Sequence, residues 1–288
     1  MEDIDIENER IRTEQCTANL IAVRAITAFI VLESDPSSWD GVLKKAIEFC
    51  SSLSDQCASS GYAVQSLRLI TNPFGEYLDT SCAENAVAGL KMLEVQLLAL
   101  EKASGIRIRF SIGAARTVEE IKLIPLFIKE AGDLANCCIN VPFSKDGILD
   151  FEMVTAGAEV CESLGQETIR GEGNFNFTIN FNGPHLCPYF PAGFNTKELG
   201  ESFVIGLEYP DLLVHLLEKM VPPGASSIVV TPALRESAWM KAAADMKAAV
   251  ETHVAVLAGL AHATAVTSGR SFAGIDSSPA PSKNVCAV

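Results

Sequence analysis

The chain has 288 residues, of which 48% are hydrophobic and 20% are charged, which is enough apolar material for one large domain or two small ones. Its formal net charge is −14 at pH 7 and its basic residues are scattered, which argues against a nucleic-acid-binding protein. The nine cysteines form no CxxC motif and no regular framework, a pattern typical of reduced and mostly buried thiols.

The sequence shows neither a signal peptide nor a membrane-spanning segment. The first 15 residues carry mixed charge and contain no apolar signal-peptide core. No run of about 18 uncharged apolar residues occurs, so no membrane span is expected. We therefore expect a cytoplasmic protein that contacts neither a membrane nor nucleic acid.

Strands and helices are predicted to alternate along the whole chain. The predicted strands cover residues 21–32, 62–70, 106–115, 136–143, 174–181, 202–209 and 271–276. The predicted helices cover residues 38–60, 81–103, 117–132, 151–164, 210–220 and 232–262. This alternation predicts an α/β fold with a mainly parallel βα-repeat sheet. We expect a single α/β domain over residues 21–282, with an N-terminal extension at 1–20 and a divergent tail at 283–288.

Two of these helices are predicted to begin with a capping box, in which a hydroxyl residue is followed three positions later by a glutamate. Ser81 with Glu84 begins one, and Thr117 with Glu120 begins the other. Gly105 is expected to end the first of these helices.

Polar residues follow the predicted strands, at the positions where ligands bind in parallel α/β proteins. Asn140 and Asn182 are candidates to position a small ligand by hydrogen bonds, and Arg116 or Lys145 could hold an anionic group. Asp276 would complete this ring. Turn propensity alone also places Asn, Asp and Gly after strands, so an ordinary set of turns remains an equal alternative.

Two residues are candidates for acid–base catalysis. His185 lies in a proline-flanked loop and titrates near neutrality, although a hydrogen-bonding loop histidine is the more common case. Glu208 ends an apolar strand, where a carboxylate is costly unless it is paired or used; a carboxylate favoured by the dipole of the next helix is the alternative.

No recognised cofactor or metal motif is present in the sequence. GxGxxG after a strand, a Walker loop, HExxH and GxSxG are all missing. Cys187 follows His185 by two residues and is either an activated nucleophile or, more commonly, a buried inert thiol. We assign no metal ligands, and the cofactor stays unknown.

An ordered series of segments resembles an uncharacterised family of bacteria, archaea and some eukaryotes, known only as a domain of unknown function. The resemblance is carried by VRAITAFI, IPLFIKEA, INVPFSKDGILDFEMVTAGAEVCESLG, NFNFTINFNGPHLCPYFPAGF, FVIGLEYPDLLVHLLEK and GIDSSPAPS. It implies a pyruvate formate-lyase-like fold, as in glycyl-radical enzymes: a ten-stranded α/β barrel made of two five-stranded halves. The chain has no radical-bearing glycine motif, so radical chemistry is not implied.

Members of that family continue past the segment GIDSSPAPS, whereas this chain ends in KNVCAV. The resemblance therefore implies that the chain supplies the N-terminal half to two-thirds of such a barrel, which would be incomplete. An unclosed parallel sheet exposes edges that a homo-oligomer could cover.

Three functions are consistent with the sequence. The first is a cytosolic enzyme-like protein that binds a small polar or anionic metabolite at the carboxyl ends of its strands. The second is a non-catalytic metabolite-binding or regulatory protein, and the third is an inactive truncated form. Binding with turnover of the bound molecule would distinguish the first from the second.

Overall fold

The computed structural model describes residues 18–183, 186–220 and 232–278 of the chain. These residues divide into two compact units. The main unit consists of Ile26–Ser52 and Ser66–Val204, and the flanking unit consists of the described residues before Ile26, Leu53–Gln65 and those from Ile205 onwards. The expected N-terminal extension, apart from residues 18–20, and the expected tail at 283–288 lie outside the described residues.

Among the residues that the structure describes, seven strands form one sheet in the order β5-β4-β3-β2-β1-β6-β7, and β1 and β6 each contribute residues to both units. The strands are β1 Ala22–Phe29, β2 Leu67–Ile70, β3 Ile108–Ala115, β4 Asn136–Val141, β5 Phe177–Phe181, β6 Ser202–Glu208 and β7 Ser271–Asp276. The four pairs from β1 to β5 are all parallel. The prediction of an α/β fold with a mainly parallel sheet is therefore confirmed.

The described part of the chain contains six α-helices. They are α1 Trp39–Ser59, α2 Ala83–Ser104, α3 Val118–Ala131, α4 Phe151–Glu167, α5 Pro210–Met220 and α6 Pro232–Ser268. The Thr117 hydroxyl accepts a hydrogen bond from the Glu120 amide at 3.2 Å, as the capping pattern predicts. Gly105 ends α2 in the left-handed conformation, also as predicted.

The capping box predicted at Ser81 is wrong. Helix α2 begins at Ala83, two residues later, and the side chain of its N-cap residue, Cys82, makes no capping hydrogen bond. The Ser81 amide instead donates to the Asp79 carboxylate at 3.0 Å, so Asp79 organises the turn that Ser81 was expected to cap.

Aromatic residues fill the core of the main unit. Phe74 and Phe127 meet edge to face with ring centroids 5.3 Å apart, and Phe110 is almost completely buried. Trp39 is buried at the start of α1, where its indole Nε1 donates to the Glu33 carbonyl at 2.7 Å. Each such side chain contributes roughly 1.5–3 kcal/mol through burial. This packing holds the carboxyl ends of β1 to β3 in fixed positions.

In the flanking unit, α6 packs through a few polar contacts. His253, a helical histidine with no predicted role, is buried and hydrogen-bonded to the Tyr62 hydroxyl at 2.9 Å. The Thr264 hydroxyl donates to Gln56 at 3.1 Å. Among the described residues, the segment Trp239–Ser268 meets the length and composition criteria for a membrane-crossing helix, which core helices of soluble proteins also meet.

Candidate functional site

The carboxyl end of β2 is organised by one buried amide side chain, Asn72. Its Oδ1 accepts from the Leu32 amide at 2.9 Å, and its Nδ2 donates to the Leu32 carbonyl at 3.2 Å. The same Nδ2 donates to Glu76 Oε2 at 2.9 Å. Asn72 is completely buried, so these bonds are shielded from competing water. It thereby ties the segment after β1 to β2 and sets the orientation of the Glu76 carboxylate.

Four charged side chains lie together at the carboxyl ends of β1 to β3; we call Glu33, Glu76, Arg116 and Lys197 the four-charge cluster. Arg116 Nη1 pairs with Glu76 Oε1 at 2.6 Å, and Lys197 Nζ pairs with Glu33 Oε2 at 2.9 Å. The hydrogen bond that the Lys197 ammonium donates to Glu33 raises the pKa of Lys197. The negative charges of Glu33 and Glu76 also raise this pKa, while Arg116 lowers it, so Lys197 is within electrostatic reach of the other three groups.

The members of the cluster differ in their access to solvent. The Glu76 side chain is 19% exposed, against 38% for Lys197, 52% for Arg116 and 63% for Glu33. The most enclosed charge is therefore a carboxylate, and the groups around it are open to a ligand. The buried Glu120 carboxylate accepts a hydrogen bond from the Arg116 backbone amide at 2.6 Å. This bond holds the backbone of Arg116 in place.

The loop that follows β5 packs on the strand ends and carries Lys197 to the cluster. The Ser111 hydroxyl donates to the Gly193 carbonyl at 2.9 Å, and the Asn180 amide donates to the Ala192 carbonyl at 3.3 Å. Cys187 and Phe194 pair as an isolated antiparallel bridge. In the described part of the polar and aromatic stretch after the fifth strand, side chains of the sheet thus hold the backbone of the loop.

Asn195 holds the end of this loop. Its backbone amide donates to the Thr71 carbonyl at 3.2 Å, and its Nδ2 donates to the Ile30 carbonyl at 3.3 Å. The side chain is completely buried, and its Oδ1 finds no donor among the residues that the structure describes. A buried acceptor of this kind is unusual and calls for a donor from water or a ligand.

Asn140 lies in β4, one residue before its end, and Asn182 directly follows β5. Asn140 Oδ1 accepts from the Gly183 amide at 2.8 Å, and the Asn182 amide donates to the Val141 carbonyl at 2.8 Å. Asn182 has a positive φ of 46°, a conformation that asparagine tolerates. Lys145 is exposed on the turn closed by the bond from the Gly147 amide to the Ser144 carbonyl. The roles proposed for these residues stay predictions.

Glu208 and Asp276 belong to the flanking unit, whereas Arg116, Asn140, Lys145 and Asn182 belong to the main unit. Glu208 Oε1 accepts from Gln65 Nε2 at 2.9 Å, and Gln65 lies just before β2, at the amino-terminal end of that strand. Asp276 ends β7, where its Oδ1 accepts from the Ser278 amide at 2.9 Å. His185 lies outside the described residues.

The sequence reasoning missed Glu33, Glu76 and Lys197. Glu76 lies four residues beyond Asn72, behind a short 3-10 turn at Phe74–Glu76, so extending the search by one turn past each strand would have found it. Glu33 directly follows the first predicted strand and could have been found in the same way. Lys197 had no local signal, because its position depends on the path of the loop after β5.

The possible metal ligands and the cysteine thiols in the described part of the chain offer little support for metal or thiol chemistry. No group of three or more His, Cys, Asp or Glu side chains there could hold a metal ion. Cys187 is buried, and burial raises its pKa, which lowers the fraction of reactive thiolate. Burial likewise raises the pKa of Cys138, and it raises the pKa of Cys57 to about 11.

Labelling of the native protein with iodoacetamide at pH 8 should modify exposed Cys82 at least about a hundredfold faster than Cys137 or Cys138. Both latter thiols are buried, and their raised pKa values keep them protonated at this pH. Peptide mass spectrometry over a time course measures each rate, and labelling in 8 M urea is the control in which the rates converge. Equal rates in the native protein would contradict the buried placement of the β4 cysteines.

Comparison with known proteins gives a family but no activity. A family model described as Uncharacterised ACR (DUF711) matches residues 15–288. No curated protein matches the chain.

Proposed function

The chain belongs to the family described as Uncharacterised ACR (DUF711), and we propose that it binds a small polar or anionic metabolite at the carboxyl ends of the strands of its main unit. The observation that carries this proposal is the four-charge cluster, in which buried Asn72 orients the Glu76 carboxylate toward Arg116. Ligands of open α/β sheets bind at this end of the strands.

The cluster differs from an ordinary set of surface ion pairs in how it is built. Exposed pairs contribute little to stability, typically about 0–1 kcal/mol, and need no buried support. Here a completely buried amide and a buried carboxylate, Asn72 and Glu120, hold Glu76 and the Arg116 backbone. Such supporting contacts are the means by which proteins preorganise binding groups. Arg116 can exchange Glu76 for a ligand anion, because its planar fork suits either carboxylate.

The residues predicted from the sequence keep their proposed roles. Asn140 and Asn182 would position the ligand, Lys145 or Arg116 would hold its anionic group, and Asp276 would contribute to the ring. His185 and Glu208 are the acid–base candidates if the protein is an enzyme. The alternatives are a non-catalytic metabolite-binding or regulatory protein and an inactive truncated form. Turnover of the bound compound would distinguish an enzyme from a non-catalytic binding protein.

We further propose that the sheet is part of a ten-stranded pyruvate formate-lyase-like barrel, of which this chain supplies the N-terminal half to two-thirds. In support, β5 and β7 each have only one neighbouring strand within the described part of the chain. A homo-oligomer could cover these edges. The acidic charge is consistent with a cytoplasmic protein that binds neither nucleic acid nor membrane.

Thermal unfolding of the 288-residue chain against amino acids, keto acids, phosphates and divalent cations tests the proposed binding. A ligand that binds only the folded state at 100 times its Kd stabilises it by about 2.7 kcal/mol, which raises the Tm by several degrees. We expect at least one small polar or anionic compound to do so, and Arg116→Gln to remove its effect. The proposal fails if no compound shifts the wild-type transition, or if Arg116→Gln responds as wild type does.

A further inference from the structure

We propose that the ligand of the four-charge cluster is a small zwitterion, a molecule that carries both an ammonium group and a carboxylate. This inference rests on the proposed function and narrows it to one chemical class. Glu76 and Glu33 supply two negative charges, and Arg116 and Lys197 supply two positive charges, in two adjacent ion pairs. The cluster is therefore electrically neutral and offers recognition groups of both signs.

Binding of an anion at Arg116 changes the electrostatic environment of Glu76. An anion that pairs with Arg116 competes with the Glu76 carboxylate for the guanidinium. Glu76 is the most enclosed member of the cluster, and Asn72 keeps it from turning out into water. A simple anion would thus leave a partly buried carboxylate without its cation, which is strongly unfavourable.

A zwitterion avoids this loss. Its carboxylate takes the place of Glu76 at Arg116, while its ammonium group takes the place of Arg116 at Glu76. Every charge in the site then keeps a partner of opposite sign, and no unpaired charge is left in a partly buried position. A simple cation would pair with Glu76 but would leave Arg116 to solvent, so it gains only half of these contacts.

Asn195 supplies an independent observation. Its buried Oδ1 is an acceptor without a donor among the described residues, and its backbone is bonded to Thr71, the neighbour of Asn72. Lys197 follows two residues later and belongs to the cluster. An ammonium group offers three donors and no acceptor, so it suits a site rich in unsatisfied or negatively charged oxygens. The unsatisfied oxygen lies two residues before Lys197 in the chain, on the loop that carries this member of the cluster.

Matched triads of compounds test the inference on the full 288-residue chain. Each triad contains an α-amino acid, the acid that lacks its amino group and the amine that lacks its carboxylate, as in alanine, propionate and ethylamine. Isothermal titration and thermal unfolding measure their affinities. We expect one or more amino acids to bind at least tenfold more tightly than both of their analogues.

Variants connect that preference to the cluster. Glu76→Gln should lower the affinity for the zwitterion at least tenfold and abolish its advantage over the matched acid. Lys44→Gln is the control, because Lys44 forms an exposed ion pair with Asp40 and touches no part of the cluster. If Glu76→Gln loses cooperative unfolding, Glu33→Gln decides the question, since it leaves the bonds of Asn72 intact; an affinity reduced at least threefold is then expected.

The outcomes separate this inference from the proposed function. If a matched acid binds as tightly as its amino acid, the zwitterion assignment is overturned while binding of an anionic metabolite stands. If no member of any triad and no other compound binds, both fail. Wild-type affinity in both Glu76→Gln and Glu33→Gln overturns the assignment to the cluster.

Discussion

Replacement of Gly113 by alanine is expected to lower the free energy of unfolding by about 4 kcal/mol, from backbone strain together with a steric clash. Gly113 lies in β3 with a φ of +80°, a conformation that L-residues with a side chain rarely adopt. A Cβ atom there would lie 2.4 Å from the Asn72 carbonyl oxygen and 2.8 Å from the Asn72 carbonyl carbon. Both are backbone atoms, so neither can turn away as a side chain would.

Gly105→Ala is the matched control for this substitution. Gly105 also has a positive φ, +69°, but a Cβ atom there would meet nothing within 4 Å. We expect it to lose about 1 kcal/mol from conformational strain alone. Urea unfolding of both variants measures the difference, which isolates the clash with Asn72. Similar losses in the two variants would show that β3 and the Asn72 backbone do not approach as closely as the structure has them.

The secondary structure could be predicted from the sequence where it depends on neighbours a few residues apart. Thr117 caps α3 through Glu120, three residues away, and Gly105 ends α2 within one turn. The same reasoning failed at Ser81, because Asp79 competes for the Ser81 amide and a pattern of residue types does not say which acceptor wins. The mainly parallel sheet could also be predicted, because strands that are buried on both faces have continuous apolar runs.

The candidate site could be predicted only in part. Asn140 and Asn182 were predicted from their positions near the ends of the fourth and fifth strands, which pair in the sheet, and their roles stay predictions. The pair of Lys197 with Glu33 joins residues 164 positions apart. Its formation depends on how the loop after β5 folds across the strand ends. That fold is set by backbone contacts such as the Ser111 hydroxyl on the Gly193 carbonyl, which leave no pattern in the sequence.

Substitution of Asn72 by alanine should lower the free energy of unfolding by about 3 kcal/mol, because it leaves buried backbone groups without partners. The Leu32 amide and carbonyl both bond to the Asn72 side chain, and Leu32 is completely buried. Water cannot replace either bond without opening the end of β1. Urea unfolding of the variant and of wild type measures this loss.

Asn85→Ala is the control, since Asn85 is exposed and bonds only to the Asp79 carboxylate at 2.8 Å in the described part of the chain; about 0.5 kcal/mol or less is expected there. Asn72→Ala also removes the bond that orients Glu76. Ligand affinity measured well below the Tm should therefore fall together with stability. If stability falls and affinity does not, Asn72 supports the strand ends alone, and the orientation of Glu76 comes from Arg116.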